Sequence, residues 1–260
     1  MDAPVLRVTV LRRYDVAMAS AAPLVWVAVV LGAPPIHARA PVASQTPVLV
    51  EAAARAAEFD LVGAAALLEG SSGTGDAAAW VPAVYVRGLI NALDASREGG
   101  TPKSLEPVRE AIAWLELTAG GRAGPAEIAR LMLHAAAAAA QSERDEMRLY
   151  LDTALHMETL QRSAGLAGAP IITAAETAGD LWLHVHRYDQ AQLAYERAAE
   201  QSGVTLRILA GRGRAARGAN SPAVACAAFR ALIEDWGVRR AEPVEIAEAR
   251  SYVAASCERQ

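Results

Sequence analysis

Apolar residues recur along this chain at intervals of three and four, not two. Val108, Ile112 and Leu115 mark one face of a helix over 104–118, with Trp114 beside it. Trp80, Val84, Leu89 and Leu93 do the same over 77–95, where Pro82 falls in the first turns and its missing N–H costs little. A helix pair is predicted over 48–59 and 61–69. Ser71-Ser72-Gly73-Thr74-Gly75 then reads as a loop and Asp76 as an N-cap. Gly120-Gly121 and Gly124 break the chain before Pro125, which opens a helix running into the alanine run 135–140. Methyl-sized side chains there predict a close helix–helix contact. Ser142 is read as the cap of a helix over 143–162, and Pro170 precedes the next group. Strand formers never alternate with period two outside the N-terminus, so the pattern predicts an all-α protein.

One stretch repeats. Gly179 recurs as Gly213, Ala191 as Ala225, Tyr195 as Phe229 and Gly203 as Gly237, each pair 34 residues apart. Gly179 lets a second helix approach closely, Ala191 keeps that approach short, and Trp182 and Tyr195 fill the seam. Gly203 and Gly237 are expected as left-handed C-caps, with Ser221 as N-cap and Pro222 at the first helical position of the last hairpin.

The register Gly179, Ala191-x3-Tyr195 and Gly213, Ala225-x3-Phe229 resembles the tetratricopeptide-repeat family. It departs from that pattern at Ala175 and Leu209, where an early Trp is usual, at Ala178 and Arg212, where a Leu is usual, and in closing on Gly instead of Pro. The stretch from Phe229 to Trp236 into Glu242-Pro243 and Ala249-Arg250 also looks like the ending of many bacterial members. The resemblance covers about a quarter of the chain. It implies antiparallel helical hairpins stacked as an α-solenoid: degenerate hairpins over 48–163, two tetratricopeptide-like repeats over 171–238 and a C-terminal capping helix over 241–258.

The first 40 residues read as a signal peptide or leader: Arg7, Arg12 and Arg13, then an apolar core around Leu24 to Val30, then Ala38-Arg39-Ala40 as a cleavage pattern. Residues 41–47 follow as a linker. The apolar run is short for a membrane span. Met18 is an alternative start, and a buried strand or an uncleaved anchor is the alternative reading of the segment. Cleavage places the protein in the periplasm or outside the cell; without export it is cytoplasmic.

Composition sharpens this picture in two places. Hydrophobic residues make up 53% but aromatics only 5%, so alanine supplies the core. The formal net charge of −4 gives no footprint for nucleic acid or an anionic membrane.

Candidate chemistry is sparse. No nucleophile elbow, zincin motif or phosphate loop is present, so the chain carries no enzyme signature and implies no cofactor. Met132/His134 and His156/Met157 bring copper to mind in an exported protein, but ordinary helix surface and core is the better reading, so no metal is expected. His184 and His186, two apart on one helix, point to opposite faces. Arg207, Arg214 and Arg217 share a side of one helix, from which Arg212 points away. In the family resemblance these three, with Thr173, Glu176, Asp180 and His184 of the preceding unit, line a concave groove. Either they clamp an acidic peptide, or Glu176 and Asp180 already neutralise the arginines.

Cys226 and Cys257 fall near the start of one predicted helix and the end of the antiparallel next, at an offset that is borderline for a disulfide; a buried Cys226 with a free Cys257 thiol is the preferred reading and the disulfide the alternative. The expectation is an exported, non-enzymatic helical-repeat scaffold that binds a protein or peptide. A membrane-tethered accessory or regulatory helical domain of an envelope complex is the alternative, and a membrane is a partner only if the leader stays uncleaved.

Overall fold

The structure, a computed structural model, describes residues 47–71, 77–165, 171–237 and 242–257. The leader, the linker as far as residue 46, the Asp76 cap and Pro170 lie outside the described residues. Among the described residues there are eleven α-helices and no strand. They are α1 (Pro47–Ala57), α2 (Leu61–Ser71), α3 (Ala77–Arg97), α4 (Glu106–Ala119), α5 (Pro125–Ala140), α6 (Arg144–Ser163), α7 (Ala174–His184), α8 (Tyr188–Ser202), α9 (Leu206–Gly218), α10 (Pro222–Trp236) and α11 (Val244–Tyr252). A π-helical turn, Val253–Cys257, closes the described chain.

Every helix packs on the next in the chain. The odd-numbered helices α3, α5, α7, α9 and α11 also touch in a row, whereas the even-numbered α6 and α8 meet through side chains, Arg162 donating to the Gln201 carbonyl at 3.0 Å. The alanine run explains how α5 fits into that row. Ala135, Ala136, Ala138, Ala139 and Ala140 are all buried, and α5 touches α3, α4, α6 and α7. Methyl-sized side chains let neighbouring helices approach this stretch closely. α1 departs from the row: it packs on α2 and α9, not on α3, and Phe59 just after it joins the cluster around Leu206, Leu209 and Phe229.

The 34-residue register has a physical cause. A Cβ on Gly179 would lie 2.6 Å from the Tyr195 ring, and one on Gly213 would lie 2.5 Å from the Phe229 ring. Tyr195 and Phe229 are fully buried. Each glycine is thus the seat of the aromatic on the second helix of its own hairpin.

Local expectations fail at several caps. Ser221 occupies the N-cap of α10, but its side chain makes no capping bond. Ser142 sits at φ 63°, one residue before the N-cap Glu143, and α6 has no side-chain cap. The hydroxyls that do cap are those of Thr173, accepting from the Glu176 N–H at 3.1 Å, and Thr205, accepting from the Ile208 N–H at 3.2 Å. Gly203 (φ 86°, ψ 170°) and Gly237 (φ 62°, ψ −144°) have the positive φ expected, but their ψ leads the chain away extended and not into a left-handed turn.

Candidate functional site

The arginines of α9 divide between two neighbouring helices. Arg207, near the start of α9, reaches α7: its Nε lies 3.1 Å from Glu176 Oε1, and its Nη2 donates to Asp180 Oδ2. The Tyr195 hydroxyl donates to the other Asp180 oxygen at 2.6 Å. The Tyr85 hydroxyl from α3 meets Thr177 Oγ1 at 2.8 Å. Tyr85, Thr177 and Tyr195 are buried, and Arg207 exposes only 12% of its side chain. This is a polar cluster in the interior of the row.

Burial sets the titration of the cluster. It pushes the Glu176 carboxyl up to about 7; Arg207 pulls the other way, and Asp180 adds to the rise. Burial lowers the Arg207 guanidinium, but Asp180 and Glu176 outweigh it and leave it above its ordinary value. The Tyr195 hydroxyl is held well above 10 by burial, then by the Asp180 charge.

A stability prediction follows with a definite sign. Below pH 4.5, the ordinary value of a Glu carboxyl, Glu176 is protonated folded or unfolded. Between 4.5 and about 7 the folded chain keeps a proton that the unfolded chain releases, so the contribution of Glu176 to stability is lost as pH rises through that window. Glu176→Gln is expected to flatten the decline from pH 5 to 7 in urea unfolding. Identical slopes for variant and wild type would show that Glu176 does not titrate there.

Arg214 and Arg217 turn instead to α11. Arg214 Nε donates to Glu248 Oε2 at 2.8 Å, with Glu245 Oε1 3.7 Å from its Nη2, and Arg217 Nη1 lies 2.7 Å from Glu248 Oε1. These arginines are not an open clamp. Glu176 and Asp180 neutralise Arg207 alone, and the terminal helix neutralises the other two. Thr173 is buried and spends its hydroxyl on capping α7; Glu176 is buried in its ion pair. His184 is exposed, with its Nε2 2.8 Å from Ser96 Oγ. Partial desolvation of its ring, and then His186, lower its pKa.

The structure also brings in residues that the sequence reading had not joined to the site: Tyr85, Glu245, Glu248 and Gly211, whose missing Cβ leaves room for the Tyr195 ring. The acidic pair carried a usable signal. Glu248 stands 34 residues after Arg214, which stands 34 after Asp180, so the register runs one helix beyond the last hairpin. The charges along that column alternate between anion, cation and anion.

Two hollows remain. One, about 30 Å³, lies among Leu89, Leu93, Ala139, Leu181, His184 and Arg207. At roughly 10–15 Å³ per water it has room for about two or three waters. The other is an open recess of about 270 Å³ lined by Ala77, Trp80, Val84 and Trp114. His184 ends α7 while His186 lies in the following turn at φ 59°, so the two do not share a helix as expected. His134 stacks on Tyr150 with centroids 4.7 Å apart and meets Arg130 at 3.1 Å, whereas Met132 is fully buried. Among the described residues no three His, Cys, Asp or Glu side chains converge on a metal position. No helix among them is long and apolar enough to cross a membrane.

Cys226 and Cys257 are joined as a disulfide, with Cα atoms 5.8 Å apart. Arg230 donates to the Cys257 carbonyl at 3.0 Å. Together they fasten the end of the π-turn to α10. Comparison of the chain with protein-family models, with curated proteins and with solved structures finds no match.

Proposed function

We propose that this protein is a tetratricopeptide-like α-solenoid that serves as a non-enzymatic scaffold, exported after loss of residues 1–40, and that binds a protein or peptide on the face made by its odd-numbered helices. One observation supports the reading: α3, α5, α7, α9 and α11 touch in a continuous row while each also packs on its neighbours in the chain, the contact pattern of stacked helical hairpins. The Gly–aromatic seams at Gly179/Tyr195 and Gly213/Phe229 support the repeat assignment.

The test is site-specific photo-crosslinking in the native cell. Leu93 on α3 is 41% exposed, and Leu160 on α6 and Leu193 on α8 are 56% and 59% exposed. A crosslinker at Leu93 is expected to give one discrete adduct, and one at Leu160 or Leu193 none. Equal adducts from all three positions, or none from Leu93, would reject the odd-helix face. The intact mass of the recovered chain reports in the same preparation whether residues 1–40 have been removed.

A further inference from the structure

We infer that the end of the helix row, where Arg214 and Arg217 of α9 stand, is a docking seat for an acidic amphipathic helix, and that α11 is its resident occupant, held there by the Cys226–Cys257 disulfide. The inference rests on the partner-binding reading above and names the kind of partner for one end of that face.

The seat's chemistry is written in what fills it. On α11, Glu245 and Glu248 face the arginines, and Ile246 and Ala249, each one residue further on, are fully buried. A helix with carboxylates at i and i+3 and apolar residues at i+1 and i+4 is therefore the complement of this surface. Tyr252 adds a tilted contact to the Phe229 ring at 5.2 Å. Arg214 is 30% and Arg217 45% exposed with α11 in place, so both are within reach of an incoming helix that displaces it.

α11 is a weak occupant by itself. Its nine α-helical residues and the five-residue π-turn that continues them make a short segment, and isolated helices below roughly 12–15 residues are marginal in water. Its described buried side chains are Ile246 and Ala249. The disulfide supplies the missing hold by closing a loop of 31 residues in sequence. A dithiol opens it by exchange: two electrons and two protons pass to the sulfurs, Cys226 and Cys257 become thiols, and the dithiol becomes its own disulfide. The α11 segment then competes for the seat on its noncovalent contacts alone.

The full-length chain tests this, with a fluorescent peptide of residues 242–257 carrying Cys257→Ser as the probe. Anisotropy titrations compare the oxidised protein with protein reduced by dithiothreitol, and circular dichroism checks that the helices persist. The reduced protein is expected to bind at least tenfold more tightly. Glu245→Gln/Glu248→Gln in the peptide, or Arg214→Ala in the protein, should each abolish most of that gain. Equal affinity in both redox states would overturn the inference, as would no binding to reduced protein whose α11 amides stay protected from hydrogen exchange. A dimer formed on reduction and lost on Arg214→Ala would support it, because a second copy's α11 would then be filling the seat. A discrete adduct at Leu93 beside any of these failures would leave the scaffold reading standing and remove only the seat.

Discussion

Arg207→Met is expected to destabilise the fold by about 3–5 kcal/mol at neutral to alkaline pH, the usual cost of removing one partner from a buried ion pair. The guanidinium holds Glu176 and Asp180 together on one side of α7, and only 12% of its side chain is exposed. Without it, two carboxylates face each other in a poorly solvated space. Glu176 relieves this by keeping its proton, since Arg207 is what pulls its pKa down. The loss should therefore be larger at pH 8 than at pH 5. Adding Glu176→Gln and Asp180→Asn should restore much of the stability, because the amides keep the shape and remove the charge. Urea unfolding followed by circular dichroism at both pH values checks all three statements. A loss below about 1 kcal/mol that does not vary with pH would mean that Arg207 is solvated and the cluster is not interior.

That cluster shows what the sequence could and could not convey. The helices were legible because the three- and four-residue spacing of apolar positions survives even in an alanine-rich chain. The hairpin seams were legible because a glycine and an aromatic recurring at one interval encode a close contact. Arg207, Arg214 and Arg217 were read onto one side of α9, but they pair with two different neighbours, Arg207 with α7 and the other two with α11. Their partners were not legible as a set, because each arginine is satisfied by whichever helix lies next to its own turn. Arg207 is level with α7 and the other two are level with α11. The contact of α1 with α9 joins elements far apart in sequence, and no periodicity announces it.

The caps and the cysteines failed for local reasons. Ser142 and Ser221 have the right side chain for an N-cap, but one residue of backbone decides whether the hydroxyl can reach an amide. The expected cysteine offset assumed an α-helical rise of about 1.5 Å per residue all the way to Cys257. The last five described residues instead form a wider π-turn, and Cys257 comes within 5.8 Å of Cys226 between Cα atoms.

Gly213→Leu is expected to lower the melting temperature by roughly 2–12 °C, as overpacking costs about 1–3 kcal/mol. Already a Cβ at this position would stand 2.5 Å from Phe229 Cε1, well inside contact distance. The ring has nowhere to retreat: Phe229 is fully buried and packs at 5.2 Å against Tyr252, which belongs to the helix fastened by the disulfide. Leucine has better helix propensity than glycine by up to about 1 kcal/mol, which offsets only part of the loss. Gly70, inside α2, separates the two effects, because a Cβ there meets nothing within 4 Å. Gly70→Ala should therefore be neutral or slightly stabilising. Phe229→Ala introduced into the Gly213→Leu chain should cost less than Phe229→Ala alone, since the new leucine occupies part of the space the ring leaves. Thermal unfolding of the four variants measures each term. An unchanged melting temperature for Gly213→Leu, or full additivity with Phe229→Ala, would show that the two residues do not share a seam and would remove the basis of the 34-residue register.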